Sequence, residues 1–249
     1  MNIHEFGKDH KESILLIHPS LVKWDYFEYV IPLLQNKYHL LVPALPGYDF
    51  DDECEFSSVE KIAEALSNQL KEMGIKRLHL IYGCSMGGSI ALIISLMNIV
   101  QVEHCVMDGG ITPYELPRFL CRLIAVKDYL LIMAGKIGGI RLLEKAFATD
   151  DYSPEDLQYV AEVLKHCSRK TIYRTFYSCN NYILPSGKEK PSAKIHYWYS
   201  KKEEKERSSD IRFMKKNFPE TEFVSYPDLG HAGLVLLKPD LFVEMISIK

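Results

Sequence analysis

Gly83-Cys84-Ser85-Met86-Gly87-Gly88 follows the apolar run Leu78 to Tyr82 and opens a second one, Ser89 to Leu96. A strand therefore feeds a helix through a turn of small residues. In that setting G-x-S-x-G has the form of a nucleophile elbow, a sharp corner that lifts the serine hydroxyl clear of a sheet. Glycines two positions to either side suit the corner, because a Cβ there would collide with the neighbouring strand or helix. A helix beginning at Met86 would aim backbone N–H groups at a developing negative charge.

Strands and helices alternate outward from this point. Before it come the strand-like runs Ser13 to Ile17 and His39 to Val42, and Arg77 to Tyr82 leads into the elbow. Between the first two, Tyr26, Phe27, Val30, Ile31 and Leu34 recur at helical spacing, with Pro32 expected to kink or shorten the helix. Ser57-Ser58-Val59-Glu60 reads as a capping box. It is followed by the stripe Val59, Ile62, Ala63, Leu66, Leu70 and Met73, closed by Gly74. After the elbow helix, Val102 to Met107 is a further strand ending in Asp108-Gly109-Gly110. Strands this uniformly apolar predict an α/β fold, a mostly parallel central sheet with helices on both faces.

The alternation stops at Thr112-Pro113. To Ser192 the pattern is helical, with Pro117 to Ala134 rich in Leu, Ile and Met, and Ser153-Pro154-Glu155 forming a helix start. Such a span is too long for a simple connection. It predicts an inserted helical cap over residues 113–192, between core segments 1–112 and 193–249. Lys194 to Tyr199 then resumes strand character, a helix is expected from Lys205 to Asn217, and Glu222 to Tyr226 is the last strand before a helix from Pro239 to Ile248.

Composition narrows the function. The 249 residues carry a formal charge of −3, which offers no basic face for nucleic acid or an anionic membrane. The longest apolar stretch, Ile90 to Val100, is too short to cross a bilayer. The six cysteines are scattered, without C-x-x-C or zinc-ligand spacing, so no metal or other cofactor is expected. Free thiols in apolar runs point to a reducing, cytoplasmic setting, and Met1 to Glu12 lacks the apolar core of a signal peptide.

A serine hydroxyl needs a base in hydrogen-bond reach and a third group to orient that base. Of nine histidines, His231 stands out. It lies in the glycine-flanked loop Gly230-His231-Ala232-Gly233 after the last strand, at the sheet edge where open α/β folds place their sites. Glu203, just past the Lys194–Tyr199 strand, is the favoured acid, with Glu204 and Asp108 as rivals. Asp108 otherwise reads as a turn residue before two glycines. Oxyanion donors are expected from the N–H groups of Met86 and Ser20, since Pro19 has none. His18 and Leu21 are expected beside the substrate, with the His18 ring bracing its loop.

These residues together resemble the α/β-hydrolase superfamily, in its small capped branch. The match rests on Ile17-His18-Pro19, on Pro43-Ala44-Leu45-Pro46-Gly47, on the Ser85 elbow and on Gly230-His231, in the order serine, acid, histidine. Pro19 replaces a customary glycine, and Ser200-Lys201-Lys202-Glu203 stands where the family has Gly-x-x-Asp. The resemblance implies a hydrolase acting on a small-molecule acyl substrate: an ester, thioester or lactone. C–C bond cleavage by the same triad, or a low-turnover receptor, are the alternatives it leaves open.

Overall fold

A computed structural model describes residues 1–51, 53–146, 152–185 and 191–248. Its centre is a seven-stranded sheet: β1 (Ile3–Phe6), β2 (Ser13–Ile17), β3 (His39–Pro43), β4 (Arg77–Cys84), β5 (Gln101–Asp108), β6 (Lys194–Ser200) and β7 (Glu222–Tyr226). The spatial order is β1-β3-β2-β4-β5-β6-β7, parallel throughout except for the edge strand β1, which pairs antiparallel with β3.

The inner strands are covered on both faces, which is why they read as unbroken apolar runs. Alternate residues of β2 go to opposite cores. Leu15 and Ile17 join the layer with α2 (Val59–Glu72) and α3 (Met86–Met97), and Ile14 and Leu16 join the layer with α10 (Pro239–Ile246). Each fully buried aliphatic side chain here contributes roughly 1.5–3 kcal/mol.

Local signals hold with adjustments. The 24–38 pattern breaks into a 3₁₀ turn, Trp24–Phe27, and a one-turn helix α1 (Ile31–Leu34), because Pro32 is tolerated only in a first turn. The α2 cap sits one residue later than the sequence suggested. Ser58 Oγ accepts from the Lys61 N–H, and Glu60 instead accepts from the Ile183 N–H. Tertiary demand for that carboxylate outweighs the local box. Met73, at the end of the stripe, is half-exposed. The 205–217 pattern starts its helix only at Ser208, as α8 (Ser208–Asn217), after a 3₁₀ turn at Lys201–Glu203.

Between β5 and β6 lie α4 (Arg118–Gly138), α5 (Ile140–Ala146), α6 (Pro154–His166) and α7 (Arg169–Cys179). Ser153 caps α6 with a full capping box. The last of these helices returns to the main body. Thr175 accepts a hydrogen bond from the Tyr48 hydroxyl at 2.8 Å, and Thr171 accepts from the Phe56 N–H at 3.2 Å. A short α9 (Gly233–Leu237) follows the β7 loop. Among the described residues, no helix is long and apolar enough to cross a membrane.

Candidate active site

β4 ends at Cys84 and α3 begins at Met86, which leaves Ser85 alone on the corner at φ 51°, ψ −114°. Positive φ is costly for a serine and persists only where its surroundings fix it. The Ser85 N–H donates to the Asp108 carbonyl at 2.8 Å, tying the corner to β5. A Cβ on Gly83 would overlap the Gly87 carbonyl oxygen, and one on Gly87 would overlap the carbonyl of Ile17. Strand, turn and helix are packed too closely at these two positions for any other residue.

His231 and Glu203 meet above the ends of β6 and β7. Glu203 Oε1 lies 2.5 Å from His231 Nδ1, a short, charge-assisted geometry. The carboxylate is buried, while the imidazole is partly open to solvent. Burial alone would raise the Glu203 pKa. The hydrogen bond and charge of His231, with Arg207 behind, outweigh it and hold the carboxyl below its ordinary value. The pair rests on Gly109, where a Cβ would sit 3.4 Å from His231 Cε1 and 3.8 Å from Glu203 Oε1. Ser85 and His231 line one cavity of about 570 Å³, together with Ser20 and Leu21.

Neither rival acid hydrogen-bonds to His231 among the described residues. Glu204 faces solvent. Asp108 is not a turn residue but the buried end of β5, where Tyr82 donates to Oδ2 at 2.6 Å and Tyr226 to Oδ1 at 2.8 Å. Burial pushes its pKa up to about 6, against the two hydroxyls that favour the anion and with the nearby Glu203 charge adding to the rise.

His18 calls for a correction. It is fully buried and absent from the cavity wall. Its Nδ1 lies 2.8 Å from the Pro19 carbonyl, and the Leu45 N–H donates to Nε2 at 3.4 Å. That pairing fixes the Nδ1–H tautomer, and burial lowers the pKa to about 4. The ring braces the Pro19–Ser20–Leu21 loop and is not part of the cavity wall. Above it, Leu21 takes a left-handed φ of 68° and faces the cavity.

Three supports were not legible beforehand. Ser200, where a glycine is customary, receives the Lys202 N–H at 3.2 Å and the Leu229 N–H at 3.0 Å on one hydroxyl, and so joins the Glu203 turn to the His231 loop. Tyr26 donates to the Ala232 carbonyl at 2.8 Å, and Tyr152 to the carbonyl of His231. Long-range side-chain bonds of this kind leave no periodic trace in a sequence. Cys84, beside the serine, points into the opposite core, where burial drives its thiol pKa far up, so it is a packing residue. Among the described residues, no cluster of His, Cys, Asp and Glu has the geometry of a metal site.

A serine on a strained strand–helix corner, sharing a cavity with a carboxylate-backed histidine at the C-terminal edge of a parallel sheet, defines a class of hydrolytic fold. The chain belongs to the alpha/beta hydrolase family, whose sequence model matches residues 14–245. Among solved structures, it is similar to a putative alpha/beta hydrolase family protein from Desulfitobacterium hafniense, at 22% identity and TM-score 0.74, covering 98% of both chains. It is also similar to a carboxylesterase structure from Nitrososphaera gargenis, at 16% identity and TM-score 0.77, covering 98% of this chain and 92% of that one. At these identities the likeness is one of fold. An uncharacterized hydrolase of Saccharomyces cerevisiae, YNR064C, is 29% identical over 93 residues. That match spans 35% of this chain and only 32% of the yeast protein.

Proposed function

We propose that the protein is a serine hydrolase that cleaves a small carboxylic ester, thioester or lactone through an acyl-Ser85 intermediate. The observation that carries this reading is that His231, hydrogen-bonded to Glu203, shares one cavity with a serine on a strained elbow. Ser85 Oγ attacks the carbonyl carbon while His231 Nε2 takes the hydroxyl proton. The N–H groups of Met86 and Ser20 stabilise the oxyanion. The carbonyl re-forms as the alcohol or thiol leaves with the proton from His231. Water, deprotonated by the same nitrogen, then cleaves the acyl-serine, releasing a carboxylic acid and restoring the Ser85 hydroxyl. Glu203 holds the imidazole in its Nδ1–H tautomer and stabilises its charged form.

Residues 113–192 act as a cap whose apolar side chains, Ile132 and Phe176 among them, form a wall of the substrate cavity. The free, dispersed cysteines support a cytoplasmic location. The test is covalent labelling by a fluorophosphonate. Wild-type protein is expected to label and Ser85→Ala is not; an unlabelled wild type, or label surviving in the variant, would refute the reading.

A further inference from the structure

The long cap helix α4 is apolar on two opposite sides. Cys121 and Ala125 are buried against the rest of the protein, and Ile132 on the same side lines the cavity that holds Ser85. On the far side, Phe119, Leu123, Val126, Leu130 and Ile137 stand in solvent at 64%, 62%, 44%, 59% and 80% exposure. At about 100° of turn per residue, these five fall within a sector of about 60° that runs the length of the helix. A helix that only roofed the cavity would carry polar side chains there.

Basic residues border this stripe. Around the helix, Arg122 lies on one side of it and Lys127 on the other, both exposed. Arg118 at the start of α4, and Arg141 and Lys145 on α5, are exposed as well. Residues 118–146 hold six basic side chains against two acidic ones, in a chain whose formal charge is −3. The average over the chain suggests no basic face, but the fold concentrates one on the cap. Among the described residues, the salt bridges of this segment reduce to Lys127 with its neighbour Asp128 at 3.3 Å. Lys136 is turned inward, where it donates to the carbonyls of Lys165 and Cys167 at the end of α6.

An apolar stripe with lysine and arginine along its borders is the chemistry of a helix lying in a lipid interface. The apolar side chains enter the boundary between headgroups and acyl chains, and the long basic ones reach back to the phosphates. A second copy of the chain fits worse. Two such stripes packed together would set Arg122 and Lys127 against like charges, and five side chains are far from the roughly 20–30 residues a side of a stable interface. We propose that the cap docks on an anionic lipid surface through the outer face of α4, with Phe119, Leu123 and Leu130 in the acyl boundary and Arg122 and Lys127 on lipid phosphates. The cavity then lies one helix thickness, about 10 Å, from the lipid.

Sedimentation with vesicles tests this, using phosphatidylcholine alone and an equimolar mixture with phosphatidylglycerol. The wild type is expected to bind the mixture at least about tenfold more tightly than phosphatidylcholine, and added salt is expected to narrow the gap. Phe119→Ser/Leu123→Ser/Leu130→Ser and, separately, Arg122→Glu/Lys127→Glu should each weaken binding to the mixture by about tenfold or more. Leu33→Ser, which replaces an exposed leucine on α1, should change nothing. A thermal melt of each variant verifies that it is folded. In Leu123→Trp, the added tryptophan emission should shift to the blue on the mixed vesicles and be quenched by brominated acyl chains. Equal affinity for the two vesicles, binding that survives the triple serine variant, or no blue shift overturns the proposal. So does a concentration-dependent dimer that the triple variant dissociates and that binds no vesicle, which would assign the stripe to a second copy. Binding is read without turnover, so the outcome is separate from the hydrolase reading.

Discussion

Replacing Glu203 by glutamine separates charge from orientation at the histidine. An amide oxygen can still accept from the Nδ1–H, so the ring keeps its place while the negative charge goes. With Oε1 at 2.5 Å from Nδ1, the charge centres of carboxylate and imidazolium lie about 4 Å apart, an attraction of about 4 kcal/mol at an effective dielectric near 20. The glutamine amide, still accepting from the Nδ1–H, retains part of that attraction. A loss of about 3 kcal/mol from the transition state is a little over a hundredfold in kcat/KM. The assay is hydrolysis of p-nitrophenyl butyrate, with Glu204→Gln alongside and a thermal melt of each variant. Glu204→Gln is expected to stay near wild type, since that side chain faces solvent. The reasoning is refuted if folded Glu203→Gln keeps activity within about fivefold of wild type, or if Glu204→Gln loses as much.

Asp108→Asn should raise thermal stability at pH 8 and leave it unchanged near pH 4. The folded carboxyl, pushed up to about 6, favours its neutral form, so the ionised aspartate costs stability increasingly as pH rises from about 4 to 6, by up to about 3 kcal/mol. Equal melting shifts at both pH values would contradict this. His196 gives the opposite sign: burial lowers its pKa to about 4, so its neutral form stabilises the fold above about pH 6.5 and that contribution fades as pH falls toward 4. His196→Gln should flatten the acid limb of a stability–pH curve measured by urea unfolding; a limb as steep as wild type would count against the assignment. Gly87→Ala drives a methyl into the Ile17 carbonyl and should destabilise the protein by about 3 kcal/mol, read as a lowered urea midpoint. An unchanged midpoint would mean the elbow relaxes freely.

The parallel sheet was legible because its burial is two-sided. A run such as Ile14, Leu15, Leu16 and Ile17 has no polar face to confuse with a helix, and both cores claim it. The order of site residues was legible because turn glycines mark strand ends. What stayed hidden depends on partners far along the chain. Asp108 looks like a turn residue until Tyr82 and Tyr226, the latter 118 positions away, are brought onto its two oxygens. His18 looks like a cavity residue until the Leu45 amide is placed beneath it. The α2 cap shifted for the same reason, since Glu60 was required by Ile183. Histidines inside strands were readable as core residues but not as a relay. His104 and His196 lie 3.1 Å apart, and His196 reaches Glu222 at 3.1 Å, at the sheet end opposite the elbow. With His196 neutral and donating to that carboxylate, His104 must donate to His196, so the pair has one consistent proton arrangement.

The hydroxyl of Ser200 has a consequence for anyone redesigning the enzyme. It accepts from the Glu203 turn on one side and from the His231 loop on the other. Two segments separated by a helix and a strand thus behave as a single replaceable part. A loop graft that lengthens either segment alone would pull its amide off this oxygen and shift acid and base relative to one another. A graft that carries Ser200 to Gly233 as one cassette, α8 and β7 included, would keep their spacing.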